Sequence, residues 1–500
     1  MTQIAGQRWD EFPKAVRTAV SLLGLVALGA AAGILSLRYG TLALIFSGLV
    51  LAASFLLLKD GYENILSTHR WIPYAWVGLG LAPDHHFTFH TTFDNSVSSA
   101  TPENYVQVAV YMLVAALVLH SRRILVAQDP RPLRTGPLLT WPLIALLSTA
   151  WSLIPLFTFI RALQLFVPIG LALLMVRIWL WSPEAARAIW RDTLRLFVRV
   201  TTILILVGFA TGFWREPRFT WPGAHPGTAA GYIVVALVIL VAGGRAFLGL
   251  RPSGYVLRLG LFVATLYLGD TRGVLAGVLV ALAVMFWLMA RTKPLKSYLG
   301  MTYYAIAACF LLIAARSEII QVALRGGTVE GITSLNGRVP LWSLSIDVLV
   351  DTNRWLGGFG YGAARVILPQ YFSWAGTAHS SWVEVLLAIG VLGPLLLAAD
   401  VLFVLRHALS RHTFVPASMT VSIWALLVVT SITGEGLVLP SLTFVLLALL
   451  HVPVLAERNS VALHLDGSDA SRDRGSGRKA MPIVPRSMRA WNPLADEGRR

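Results

Sequence analysis

One histidine and a handful of arginines carry the chemistry that this sequence can offer. His379 stands at the head of an apolar run in "GTAHSSWVEVLLAIGVLG", residues 376–393, followed by Ser380, Ser381 and Glu384. Arg272 interrupts "LYLGDTRGVLAG", and Arg338 lies in "LNGRVPLW", one helical turn before Trp342. Arg161 sits inside the apolar stretch "LFTFIRALQLF" with Gln164 one turn further on, and Arg365 follows the glycine-rich "WLGGFGYG". Guanidinium offers planar paired donors and a charge that does not titrate, which suits the oxygens of a departing diphosphate. Neutral imidazole titrates near neutral pH and can take the proton of a hydroxyl nucleophile. These residue types point to displacement of an anionic leaving group by a hydroxyl, provided that the fold gathers them on one side.

The elements that must do the gathering are membrane spans. Hydrophobic residues make up 56% of the 500-residue chain and charged ones 13%, which excludes a soluble multidomain protein and indicates a polytopic membrane protein. Apolar runs that approach the ~20 residues of a bilayer crossing fall at 15–37, 41–58, 104–120, 138–153, 156–180, 196–214, 229–244, 257–269, 273–290, 297–315, 381–405, 414–433 and 437–454, the 257–269 run being short. The expected fold is all-α, a polytopic transmembrane helical bundle of about 12–14 spans with a large outer loop that contains short amphipathic helices. Arg122, Arg123, Arg131 and Arg134, then Arg187 and Arg191, then Arg245, Arg251 and Arg258, then Lys293 and Lys296, then Arg406 and Arg411 occupy alternate connections. The positive-inside rule places these in the cytoplasm, and accounts for the net charge of +16 without nucleic acid.

That orientation puts 214–228, 270–272 and the long connection 316–380 outside, and it needs 71–81 as a further crossing if the N-terminus is inside. The chain divides into an N-terminal transmembrane region (1–136), a transmembrane core (137–315), an outer loop (316–380), C-terminal transmembrane helices (381–456) and a polar, disordered cytoplasmic tail (457–500). The first apolar run lacks a small-residue cleavage site, so no cleavable signal peptide is expected. Cys309 is the one cysteine, which leaves no disulfide framework and no cysteine metal site.

Ionisable groups at membrane depth are costly and mark function unless something bland explains them. Arg161 has such an explanation in snorkelling to a headgroup. Asp400 lies within an apolar run, and Glu435 in the outer turn "SITGEGL" either pairs with an arginine or sits in water. Residues 340–351 read as an amphipathic helix with Pro340 near its start, its apolar face on the membrane surface or on the bundle. Gly357, Gly358, Gly360 and Gly362 form either an anion-binding turn or a flexible one. "APDHHFTFH", with Asp84, His85, His86 and His90, and Asp94 beyond, weighs a zinc site against a solvated loop. His225 in "GAHPG" reads as a turn residue. Without an Asp-x-Asp motif or a dense carboxylate cluster in the membrane and outer regions, arginines rather than a metal are expected to neutralise the diphosphate, and no cofactor is expected.

Over about 138–405 the chain resembles the O-antigen ligase and polymerase superfamily of bacterial membrane glycosyltransferases. The stretches that carry the resemblance are "ALLSTAWSLIPLFTFIRALQLF" with Trp151, Ser152 and Arg161, "GAHPGTAAGY", "GDTRGVLAGVLVAL" with Thr271 in place of the family's serine, "NGRVPLW", "LGGFGYG" and "AHSSWVEVLLAIGVLG" with Ser380 in place of asparagine. The resemblance implies an enzyme that moves a glycan from an undecaprenyl diphosphate carrier to an acceptor hydroxyl, at the periplasmic face of the bacterial inner membrane. Carried over, His379 is the catalytic residue, as base or as positioner of the acceptor. Arg272, Arg338 and Arg161 bind the diphosphate, and Arg365, Trp342, Glu384 and Glu435 support them. The implied partners are the lipid-linked glycan donor, a lipid A core or glycan acceptor, and membrane lipids. A ligase of lipopolysaccharide assembly is favoured, a repeat-unit polymerase is the alternative, and a lipid-linked glycan transporter or flippase is the rival from another class.

Overall fold

The computed structural model describes residues 69–84, 102–128, 132–212, 214–215, 218–269, 272–292, 337–373, 375–409, 417–434 and 436–472. The runs at 15–37, 41–58 and 297–315, the His85–His90 cluster with Asp94, Cys309 and Glu435 lie outside the described residues. The helices are α1 (Ile72–Asp84), α2 (Pro102–Gln128), α3 (Thr140–Leu147), α4 (Pro155–Trp181), α5 (Pro183–Ala210), α6 (Pro226–Leu248), α7 (Pro252–Gly269) and α8 (Arg272–Thr292), then α9 (Arg338–Asp351), α10 (Ala364–Ile367), α11 (Ser381–Ile389), α12 (Leu392–Ala408), α13 (Ala417–Ile432) and α14 (Leu442–Arg472). Among the described residues α4, α5, α6 and the Leu442–Ser460 part of α14 are long and apolar enough to cross a membrane; 107–119, 136–150, 273–288 and 418–432 form shorter apolar helices. The protein is an all-α membrane protein.

Local sequence sets the helix ends. α5 starts at Pro183 behind an N-cap serine, whose Oγ accepts from Ala185 N–H at 3.4 Å. α6 starts at Pro226 behind His225, whose Nδ1 accepts from Gly227 N–H at 3.1 Å; His225 is a turn residue, as its surroundings in sequence imply. α7 begins at Pro252, more than a turn before the apolar run at 257, and its 18 residues reach about 27 Å. Between α5 and α6 a two-stranded hairpin pairs Trp214 with Phe219 and Arg215 with Arg218, an element that periodicity did not reveal. α14 continues to Arg472, past the 456 boundary; Asn459 anchors it, accepting from Arg134 N–H at 2.8 Å and donating to Arg134 O at 3.2 Å.

Two hydrophobic cores result. The larger one runs through the bundle, with Trp190, Tyr232, Ile169 and Leu171 fully enclosed. The smaller belongs to the outer layer and joins Leu341, Val348 and Leu349 of α9 to Phe359, Ile367 and Leu387. α9 is less amphipathic than expected: Leu341, Val348 and Leu349 pack on this outer core, which residues 359–368 complete, while Val339, Ile346 and Val350 stay exposed.

The apolar run 381–405 is not one helix. Gly390 has φ +68°, and a Cβ there would collide with backbone atoms of Trp355 and Leu356. Leu387 O and Ala388 O, which a continuous helix would offer to later amides, accept from Phe359 N–H at 2.8 Å and Gly360 N–H at 2.9 Å, while Val391 N–H donates to Trp355 O at 2.8 Å. Gly393 lies against the backbone of Val385, so α11 and α12 meet at a sharp corner. The outer loop, inserted into the ladder, makes this break.

Candidate functional site

The starts of α4, α8, α9 and α11, the end of α13 and the residues before α14 are joined through Thr158–Tyr361, Gly273–Thr433, Ser381–Gly434, Tyr361–Val438 and Trp342–Ala378. Tertiary bonds fix His379 tightly there. Its φ of +50° lies in the left-handed region, which is costly by about 1–3 kcal/mol for a residue other than glycine and persists when the surroundings over-determine it. They do so on both flanks. Trp342 Nε1–H, from α9, donates to Ala378 O at 2.9 Å, and Glu384 Oε2, from α11, accepts from Ala378 N–H at 3.0 Å. On the other side Ser381 N–H and Oγ both donate to Gly434 O, at 2.9 and 2.8 Å, and Ser381 Oγ accepts from Leu437 N–H at 3.2 Å. The Thr377 hydroxyl stands 3.5 Å from His379 Nδ1, at the limit of a hydrogen bond.

These bonds explain several residue types. Glu384 is 2% exposed, and its carboxylate reaches back to a backbone amide ahead of its own helix, an N-terminal anion of the capping kind. Ser380 takes the N-cap position, is buried and makes no capping bond. The turn on either side of Glu435 supplies acceptor and donor through Gly434 and Leu437, so the stretch "SITGEGL" belongs to the floor of the His379 loop through its backbone.

Two of the arginines enter at helix starts. Arg338 opens α9 after Gly337 (φ +81°), one turn before the Trp342 that holds Ala378, so the two share a helix face. Arg272 opens α8, and the next residue, Gly273, is so close to Thr433 that a Cβ would lie 2.7 Å from Thr433 Oγ1. Thr433 adjoins Gly434, the acceptor for Ser381. The backbones that carry Arg272, Arg338 and His379 therefore meet at one corner.

The glycine turn has a different use from anion binding. Its amides at Gly358, Phe359, Gly360 and Tyr361 donate to Arg354 O, Leu387 O, Ala388 O and Ser148 Oγ, so those four are already engaged. Trp151 Nε1–H donates to Gly357 O at 2.8 Å, Leu153 N–H to Phe359 O at 3.2 Å, and Thr158 Oγ1–H to Tyr361 O at 2.6 Å. At Gly360, φ +97°, a Cβ would strike Ser152. The Trp-Ser segment and the glycine turn are thus two halves of one dock, which sets the outer layer on the bundle.

Tyr361, at the centre of that dock, escaped attention in the sequence although it sits inside the glycine stretch. Its ring is fully buried, its hydroxyl donates to Val438 O at 2.8 Å, and burial pushes its phenol well above the usual range against the pull of Arg161. Glu384, Arg161 and Arg365 are all within electrostatic reach of Tyr361, and the two arginines lie over the ring of Phe157 at 5.4 and 5.5 Å from its centroid. Arg161 Nη1 donates to Gln107 Oε1 at 3.1 Å and Gln164 Oε1 at 3.2 Å. Its guanidinium is thereby turned inward, which answers the snorkelling explanation. Gln107, a polar residue in an apolar run, was a signal that passed unused. So was His451 in "LLALLHVPVL": its Nε2 lies 2.8 Å from Asp400 Oδ1 in a buried pair that links α12 to α14.

Residues 257–398 match the family model described as O-antigen ligase. The matched region holds Arg272, Arg338, Trp342, Arg365, His379 and Glu384, and leaves Arg161 and Glu435 outside it. No curated protein matches the chain.

Proposed function

We propose, from its O-antigen ligase domain at residues 257–398, that this membrane enzyme of the O-antigen ligase superfamily moves a glycan from an undecaprenyl diphosphate carrier to an acceptor hydroxyl. The observation that carries the reading is the meeting of the His379 loop with the starts of α8 and α9 inside the matched region.

In this account the carrier's diphosphate lies between Arg272 and Arg338. The acceptor oxygen attacks the anomeric carbon and its proton passes to the neutral imidazole of His379. The bond from that carbon to the diphosphate oxygen breaks with its electron pair on the leaving group, whose gathering charge the two guanidiniums compensate. Direct attack inverts the anomeric configuration. Trp342 and Glu384 act through Ala378 as positioning residues for His379. The chemistry takes place at the periplasmic face of the inner membrane and needs no metal. The favoured acceptor is a lipid A core; a repeat-unit polymerase would use the same donor chemistry with a second lipid-linked glycan.

The test is transfer by the purified protein from an undecaprenyl diphosphate glycan to a lipid A core, beside the glycan profile of a deletion strain. Product formation, and lipid-linked polymer that accumulates unattached in the strain, are expected. Accumulation of single repeats would assign a polymerase, and unchanged envelope glycan would reject the reading. Arg338→Lys should weaken donor binding, because a point charge cannot reproduce a planar fork. Unchanged donor affinity in both Arg272→Lys and Arg338→Lys would remove the clamp.

A further inference from the structure

Among the described residues the Arg161–Arg365 corner brings two cations together without an anion in an ion pair with either. Both guanidiniums lie over the single ring of Phe157, at 5.4 and 5.5 Å, and each is within electrostatic reach of the other. Among the described residues neither is in an ion pair. The groups that receive Arg161 are the side-chain oxygens of Gln107 and Gln164, buried at 5% and 6% exposure. Amide oxygens satisfy hydrogens but supply no charge, so the pair repels itself in a partly desolvated place. A structural role does not account for this, since an apolar side chain at 161 would pack between α2 and α4 without the repulsion. A ligand anion does account for it. Each guanidinium has five N–H donors, and Arg161 bonds Gln107 and Gln164 through the single nitrogen Nη1.

Two further observations give the anion its class. Arg161 lies within two turns of the start of α4, and the neighbouring face of that helix exposes Leu156, Phe159, Ile160 and Leu163. An anion here has apolar surface directly beside it, the arrangement that a phosphate with an attached lipid chain requires. The pair is also carried by other elements than the proposed donor corner: Arg161 is held by Gln107 of α2 and Gln164 of α4, whereas Arg272 and Arg338 open α8 and α9 beside Thr433 and Ala378. A transferase that joins two lipid-borne substrates needs a second place to hold one.

We propose that Arg161 and Arg365 bind a phosphate group of the lipid acceptor, in place of the donor diphosphate to which the family resemblance assigns Arg161, and this rests on the transfer reading given above. Tyr361 and the glycine dock then set the distance between the acceptor's phosphate and His379, so that the acceptor sugar is presented from one side and the donor from the other.

The test uses the full-length protein in detergent micelles and measures binding of three probes by native mass spectrometry: diphosphoryl lipid A, undecaprenyl diphosphate and phosphatidylglycerol. Arg161→Gln and Arg365→Gln should each weaken diphosphoryl lipid A at least about tenfold and leave undecaprenyl diphosphate unchanged, with the opposite pattern in Arg338→Gln. Arg365, on the outer layer, guards against a variant that fails to fold, and Arg161→Lys should recover part of the loss. Unchanged lipid A binding in both glutamine variants would overturn the proposal. So would an equal loss of phosphatidylglycerol, which would make the pair a bilayer-lipid site, or an equal loss of undecaprenyl diphosphate, which would place it in the donor site. The expected binding pattern without any glycan transfer by the wild type would uphold the anion site while the transfer reading falls. Transfer with an unaltered acceptor KM in both variants would do the reverse.

Discussion

The His379 corner and the Arg161–Arg365 corner are both within electrostatic reach of buried Tyr361 and are built on opposite principles. Around His379 the hydrogen bonds are over-supplied: Ala378 is held at both its N–H and its carbonyl, Ser381 through backbone and side chain, and the histidine between them sits in a left-handed conformation that only such a frame sustains. Around Phe157 the charge is under-supplied, with two cations over one ring and only the neutral oxygens of Gln107 and Gln164 bonded to Arg161. The first corner fixes a direction. The second holds a potential that waits for its counter-charge. Chemistry at a carbon centre needs orientation to within a fraction of an ångström, whereas capture of a phosphate needs charge and tolerates looser geometry.

Substitutions separate the two corners, beginning with the change that should damage both. Gly360→Ala puts a Cβ into Ser152 at φ +97° and should destabilise the protein by about 3 kcal/mol or more, read as a large fall in melting temperature in detergent with loss of transfer. Should it melt like wild type, the dock does not position the corners. Trp342→Phe removes the N–H that holds Ala378 and should lower kcat on the order of a hundredfold with donor affinity retained. Glu384→Ala should behave likewise, whereas Glu384→Gln, which keeps an oxygen for Ala378 N–H, should lose less; equal losses would mean that the charge rather than the bond matters. Tyr361→Phe, which gives up the bond to Val438 O, should cost about 1 kcal/mol of stability. Gly357→Ala is the smallest change: nothing lies within 4 Å of its added Cβ, and both stability and transfer should match wild type.

The sequence was most legible where one local property decides the outcome. Apolar runs at 156–180 and 229–244 became α4 and α6 within a few residues, since burial in a membrane or bundle acts on every residue of a span. Arg272 was recognisable because it interrupts such a run and Arg338 because it stands just ahead of Pro340 at a helix start, and both open helices. The corner at Gly390 was not legible. Residues 381–405 are continuously apolar, and the break depends on amides of Phe359 and Gly360 that replace helix hydrogen bonds from another part of the chain. The pairing of Arg161 with Arg365 has the same cause, for a shared ring joins residues from a span and from the outer layer. His451 and Asp400 show a third case, in which each is costly alone in an apolar segment and only their contact explains both.

The most direct measurement is single-turnover transfer by purified His379→Ala, with binding of the undecaprenyl diphosphate glycan measured on the same preparation. The account predicts transfer slower by at least about a hundredfold, with donor affinity equal to that of the wild type. Transfer at the wild-type rate would contradict it.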